Sequence, residues 1–301
     1  MGGGISRHEL AAAVSEAGGL GTIAVTGASS ISREVALARS LTGRPIAVNI
    51  LLPFARPDWF DAAAQADVVV TFWGRPRRRT PGPWMHQCGS VAEVRAAVSA
   101  GADAVILQGV EAGGHVRGKL PALELLEQTR TACGSDYPLL LAGGIATRSD
   151  VDAALHAGAA AVVAGSRFLL SDESHAHPAY KRRVLSADRT ILTDLFGFGW
   201  PAAHRVVPNA AIEQLKSNGH TPMTNRAVNR ISGLGSRHAP AGLQGRLIEQ
   251  QRPDGRILTP QAPLDDAWSN LVEAGPLYAG ESALRMSSVK PAAQIVTDLA
   301  G

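Results

Sequence analysis

Seven short apolar runs rich in Val, Ile and Leu recur along this chain as far as Phe168, and they set its fold class. They are LGTIAV at 20–25, PIAVNILL at 45–52, DVVVTFW at 67–73, PWMHQC at 83–88, DAVILQG at 103–109, PLLLAGG at 138–144 and AAVVAGSRF at 160–168. Each is nearly continuous rather than alternating in polarity, as strands covered on both faces of a parallel sheet read. Between them lie stretches such as SVAEVRAAVSAGA and TRSDVDAALHAGA, with Ala, Val and Leu at helical spacing and a Ser or Thr placed to cap the start. The joints AGADAVILQG from Ala100 and AGAAAVVAGS from Ala157 nearly repeat, each with a glycine where a helix ends in a left-handed residue.

Repeated βα units with short joints build either an open doubly wound sheet or a closed (β/α)8 barrel. The chain opens on a helix, SRHELAAAVSEAGG, and in such folds each helix follows a strand. The visible strands therefore count as the second to the eighth. The expected fold is an α/β (β/α)8 TIM barrel over residues 1–210 that lacks its first strand. A capping segment over 211–275 and a C-terminal helix within 276–301 that packs back on the barrel would follow. Either the true start lies upstream of Met1, the favoured reading, or the barrel is incomplete and its edges are a liability. Beyond residue 170, SDESHAHPAYKRRVLSADRTILTDLFG reads as helix, and 216–275, rich in Gly, Pro, Asn and Gln, reads as an extended or capping segment.

Composition narrows the function. With 45% hydrophobic and 18% charged residues the chain has ordinary globular usage, so disorder is not expected. Its net charge of +3 is scattered, which speaks against a nucleic-acid partner. The one dense cluster, Arg75 with Arg77, Arg78 and Arg79 in GRPRRRTPGP, reads as a solvated loop rather than an anion site. Cys88 and Cys133 fit neither a disulfide framework nor a metal spacing, so a reducing, cytoplasmic location is expected. The N-terminus has no leader pattern and no run of about 18 apolar residues occurs, so no membrane span is expected. His175 and His177 in HAHP lack a third ligand nearby and read as a surface pair, leaving no expected metal. There is no G-x-S-x-G elbow, P-loop or H-E-x-x-H.

A (β/α)8 barrel works at the C-terminal ends of its strands and often holds a phosphate after strands 7 and 8. At those two places stand AGGIATRSD and AGSRF, where Gly143, Gly144, Gly165 and Ser166 would let backbone N–H groups approach an anion. The run VILQGVEAGGHVRG places Gln108 at a strand end, Gly113 and Gly114 where a flat ligand could press on the backbone, and His115 on the same rim as a base poised near neutral pH. Glu111 could orient His115, neutralise it or be solvated. Asn49 is an amide inside an apolar strand and needs a partner there.

Taken together, LQGVEAGGHVRG, LLAGGIATRSDVDAALHAGAAAVVAGSRFLLSDES and MGGGISRHELAAAVSEAGGLGTI resemble the nitronate monooxygenase, or 2-nitropropane dioxygenase-like, family. The resemblance implies an FMN-dependent TIM barrel with a smaller second domain. It implies FMN phosphate at Gly143, Gly144, Gly165 and Ser166. Asn49 and Gln108 would meet the flavin ring or ribityl chain, with Gly113 and Gly114 packed beside it and His115 as catalytic base. The implied reaction is oxidation of alkyl nitronates, with neutral nitroalkanes as a second substrate class, by O2 to a carbonyl compound and nitrite. Two alternatives stand beside it: an NAD(P)H-dependent FMN reductase of the enoyl-[acyl carrier protein] or quinone type, and a non-catalytic flavin-binding barrel. The chain departs from the family at its missing first strand, at GRPRRRTPGPWM, which is too short for the usual helix, and at 216–275.

Overall fold

Each of the seven apolar runs forms a parallel strand, and each after the first pairs with the run before it. In a computed structural model, which describes residues 2–134, 136–215, 221–235, 241–266 and 269–301, these are β1 (Gly21–Ile23), β2 (Ile46–Leu51), β3 (Val68–Phe72), β4 (Trp84–Cys88), β5 (Ala104–Gln108), β7 (Leu139–Ala142) and β8 (Ala161–Val163). The short β6 (Gly114–His115) lies in a second sheet. The order β1-β2-β3-β4-β5-β7-β8 runs one way without reversal, the winding of a barrel rather than of a doubly wound sheet. Among the described residues no strand pairs β1 with β8, so this is an α/β half-barrel of seven strands, as expected.

The helices are α1 (His8–Glu16), α2 (Ala28–Leu41), α3 (Pro57–Ala63), α4 (Val91–Ser99), α5 (Ala122–Cys133), α6 (Arg148–His156) and α7 (Ser166–Leu169). Strand alternation divides the core. Ile46, Val48, Ile50, Val105, Leu107, Leu139 and Leu141 pack with Ile31, Val35, Val94, Leu125 and Leu126 of the helices. Each such side chain, fully buried, contributes about 1.5–3 kcal/mol. The opposite, inner face holds Ala47, Val70, Ile106 and Ala142, joined by Met85, Leu140 and Val163.

The expected helix ends are present. Ser90 accepts from Glu93 N at α4, and Thr147 forms a capping box with Asp150 at α6. Gly101 and Gly158 take φ of +80° and +95° just past α4 and α6. The stretch from Trp73 to Pro83 forms no helix. There Arg78 pairs with Asp103 (2.8 Å) and lies over the Trp84 ring, while Arg79 lies over Phe60. Arg75, Arg77 and Arg79 are exposed, while Arg78 is half-buried against Trp84. The helix Ala292–Ala300 buries Ala292, Ile295 and Leu299 and packs against α1, α6 and α7.

Chain contacts define two units: Met1–Ala112, Arg117–Ser174 and Ser288–Gly301 form the half-barrel, and Gly113–Val116 with His175–Ser287 form the other. Beyond α8 (Pro178–Leu185) the stretch expected to be helical turns extended, as β9 (Ile191–Thr193) pairs antiparallel with β10 (His204–Val207). β6 and β11 (Leu277–Tyr278) also pair antiparallel with β10, at His115↔His204 and Val207↔Leu277.

The segment 216–275, expected to be extended or capping, is helical in part. It contains α10 (Met223–Gly235), α11 (Ala241–Glu249) and α12 (Leu271–Ala274), after α9 (Ala210–Leu215); 216–220, 236–240 and 267–268 lie outside the described residues. That these parts are helical is hidden for a physical reason. α10 buries Asn225 and Asn229 and exposes Met223 and Ile231, so its inner face is polar and hydropathy conceals it. Asn229 Nδ2 donates to the carbonyls of Asp194 (2.9 Å) and Leu195 (3.2 Å). No helix among the described residues is long and apolar enough to cross a membrane.

Candidate active site

The half-barrel gathers polar groups at the C-terminal ends of its strands. Asn49 alternates with its neighbours Val48 and Ile50, which face the helices, so it stands on the inner face of β2 with Ala47. Its side-chain amide makes no hydrogen bond to the described residues, which leaves a half-buried donor and acceptor pair for a ligand or solvent. Gln108 ends β5 on the same face and is buried. Its Oε1 accepts from Arg117 N at 2.9 Å, so it also closes the base of the loop that leaves β5.

After β7, Gly143 and Gly144 take φ of +121° and +76°, which only glycine adopts without strain. Asp150 Oδ2 accepts from Ala146 N (2.9 Å) and Thr147 N (2.8 Å), pinning the same loop to α6. After β8, Gly165 caps α7 and Ser166 begins it. Asn49, Gln108, Gly143, Gly144, Gly165 and Ser166 therefore all belong to one unit and one end of its sheet. Inward amides and free-φ glycines at that end form a donor set that fits a phosphorylated, ring-bearing cofactor.

Gln87 was not among the expected residues. It shares the inner face of β4 with Met85, and the alternation of WMHQC could have pointed to it. On the other face of β4, Trp84 Nε1 donates to Thr71 Oγ1 (2.8 Å), which bonds His86 Nδ1 (2.7 Å). Burial drives the His86 pKa down to about 4, opposed by Glu93 and assisted by Arg117. Arg117 pairs with Glu93 and lies over the Trp73 ring. Burial pushes the Cys88 thiol well up, so it is an inert core residue.

Gly113, Gly114 and His115 lie in the second unit. A side-chain carbon on Gly113 would strike the backbone of Ala279 and Gly280, so its glycine is explained by close packing of the chain on itself. Gly114 has φ +76° and open space beside it. His115 is half-buried, with its Nε2 covered, among aromatic rings: Trp200 stacks at 3.7 Å, with His204 at 5.2 Å and Tyr278 at 5.4 Å between centroids. Sequence reasoning found His115 but none of these three rings, which come from segments 85 to 163 residues later, a separation no local pattern encodes. Burial, then the neighbouring His204, holds the His115 pKa well below the usual histidine range, so the imidazole is neutral at pH 7. His204 Nδ1 donates to Ala202 O (2.9 Å), Tyr180 OH to Tyr278 O (2.5 Å), and Tyr278 OH to Pro260 O (2.8 Å).

The expected surface histidines have structural partners. His175 pairs with Asp265 at 3.1 Å, and His177 Nδ1 accepts from Ala179 N at the start of α8.

The one-way parallel order and the amides and glycines at the strand ends put this unit's ligand-binding groups where (β/α)8 barrels carry their sites. The sequence profile of nitronate monooxygenase matches residues 1–72 and 84–301, and the chain belongs to that family. The unmatched residues 73–83 are the arginine loop. Among curated relatives, the chain is similar to a nitronate monooxygenase of Pseudomonas aeruginosa, 33% identical over 251 residues that span 63% of this chain and 71% of that protein. It is also similar to a (3aS,4S,5R,7aS)-5-hydroxy-7a-methyl-1-oxo-octahydro-1H-indene-4-carboxyl-CoA dehydrogenase of Mycobacterium tuberculosis, 30% identical over 71% of this chain and 63% of that one. Two solved structures resemble it throughout. FabK from Thermotoga maritima has a TM-score of 0.76 at 27% identity, covering 100% of this chain and 90% of that one. A nitroalkane oxidase from Streptomyces ansochromogenes has a TM-score of 0.75 at 29% identity, covering 100% and 92%.

Proposed function

We propose that the protein uses FMN to oxidise alkyl nitronates with O2 to a carbonyl compound and nitrite. The observation that carries the cofactor reading is the inner rim of the half-barrel, where the Asn49 amide makes no bond to the described residues and the two positive-φ glycines follow β7. Gly143, Gly144, Gly165 and Ser166 would hold the phosphate through backbone N–H groups and the serine hydroxyl. Asn49 and Gln108 would hydrogen-bond the ring or ribityl chain, with Gly113 and Gly114 as the backbone beside it. When bound, the flavin supplies the electron transfer to oxygen, which no side chain of this chain can provide.

His115 is the proposed proton acceptor. Its enclosure keeps it neutral, as a base must be, and also makes it a weak one, because the imidazolium would be buried beside His204. That favours nitronates, already deprotonated in solution, over neutral nitroalkanes. A second reading, an NAD(P)H-dependent reductase, draws support from the likeness to FabK and to the dehydrogenase.

Aerobic nitrite release from propyl 2-nitronate, with no dependence on NADH, is the expected result; rapid anaerobic bleaching of the flavin by NADH selects the reductase instead. His115→Asn should cut turnover of a neutral nitroalkane by about 10²-fold or more while nitronate turnover falls far less. Equal losses on the two substrates would remove the histidine from proton transfer.

A further inference from the structure

Three glycines converge on one carboxylate, that of Glu111. A side-chain carbon on Gly109 would collide with Glu111 Oε2, one on Gly143 would lie 3.2 Å from Cδ, and one on Gly144 would lie 3.6 Å from Cγ. The same carboxylate accepts from Ala122 N, at 2.9 Å to Oε1 and 3.3 Å to Oε2. Ala122 is the first residue of α5, whose preceding residue, Pro121, offers no side-chain cap. Glu111 thus does for α5 what a capping residue would do, and an acidic group is favourable at that helix end. Gly109 N donates to Ala142 O at 2.9 Å, so the exits of β5 and β7 are joined beside it.

We propose that Glu111 is a positioning residue for the Gly143–Gly144 turn. Asp150 holds the far side of that loop and Glu111 fills the near side, so the glycine pair is clamped in its left-handed conformation between two carboxylates. The clamp aims the turn's N–H groups without Glu111 touching the ligand. The inference rests on the flavin reading above and assigns a role to the residue of the EAGGH run whose purpose the sequence leaves open.

The test compares FMN with riboflavin, which lacks the phosphate, by quenching of flavin fluorescence on the full-length apoprotein. Glu111→Ala and Glu111→Asp, which remove or withdraw the carboxylate, should raise the Kd for FMN about tenfold or more. Their Kd for riboflavin should move less than about twofold. Glu111→Gln keeps an oxygen acceptor for Ala122 N and should bind FMN no more weakly than wild type. Melting curves identify any variant that has lost its fold, and E111D against E111Q decides the matter if E111A has. Equal weakening of both ligands, or unchanged FMN affinity in E111A and E111D, overturns the positioning role and leaves the flavin reading standing. A wild-type protein that binds FMN no better than riboflavin overturns the phosphate cradle, and this inference falls with it.

Discussion

The half-barrel and the second unit bury their interiors by different means. The half-barrel wall is aliphatic, with Leu107, Leu125, Leu126, Leu139 and Leu141 all fully buried or nearly so. The second unit adds, to an apolar core around Leu195, Phe196, Val206, Ile212 and Leu258, buried amides that bind backbone carbonyls. Asn209 donates to Val272 O (3.1 Å) and Gly275 O (2.7 Å), Asn225 to Gly255 O and Arg256 O (both 3.3 Å), and Gln251 to Ala274 O (2.6 Å). Dispersion and hydrophobic burial tolerate any well-shaped apolar group, whereas an amide latch requires its chemistry.

The largest expected effect breaks a latch. Asn209→Leu keeps the side chain's branching and heavy-atom count but strands two carbonyls and the Ile212 N–H, and should cost about 3–5 kcal/mol in urea melts. Leu107→Met, a comparable swap in the half-barrel, should cost under about 1.5 kcal/mol. Similar losses for the two would erase the distinction.

His86 is a buried imidazole in the apolar wall of the half-barrel. Its folded pKa of about 4 lies below the unfolded value of about 6.5, so the unfolded chain takes up a proton that the native state refuses. The stabilisation is complete above pH 6.5 and is lost as pH falls toward 4, by about 3 kcal/mol. His115 titrates with the same sign. His86→Gln should flatten the loss measured between about pH 7 and pH 4.5, and an unchanged slope would place the acid sensitivity elsewhere.

The smallest effect concerns the arginine loop, a stretch of the half-barrel held by polar contacts. Arg78→Ala removes an exposed ion pair and a ring contact and should cost about 0.5–1 kcal/mol. A loss above about 2 kcal/mol would mean that the loop is latched as firmly as the second unit.

This contrast also explains what the sequence could reveal. All seven strands of the half-barrel were legible because they are continuous apolar runs between capped helices, and AAVVAGSRF overran only where α7 begins at Ser166. The second unit was not, because its order comes from Asn and Gln side chains reaching carbonyls far along the chain, and from strands of two to four residues such as β6 and β10. Among site residues, Asn49, Gln108 and the strand-end glycines stood out as polar or glycine positions interrupting apolar runs. Gln87 could be read from the alternation of WMHQC, whose Trp, His and Cys share the other face. Glu111 was visible but uninterpretable, since its partners at Ala122, Gly143 and Gly144 come together only in three dimensions.

The helix Ala292–Ala300 places α1 and α6 under one cover. During synthesis, α1 emerges long before that helix exists, with the whole stretch from His175 to Ser287 translated in between. The apolar surfaces of α1 and α6 must therefore wait, exposed, on the nascent chain. The half-barrel cannot finish vectorially, and its last docking step pairs α1 with a helix that begins only at Ala292, which makes it the natural point for slow folding and for capture by chaperones.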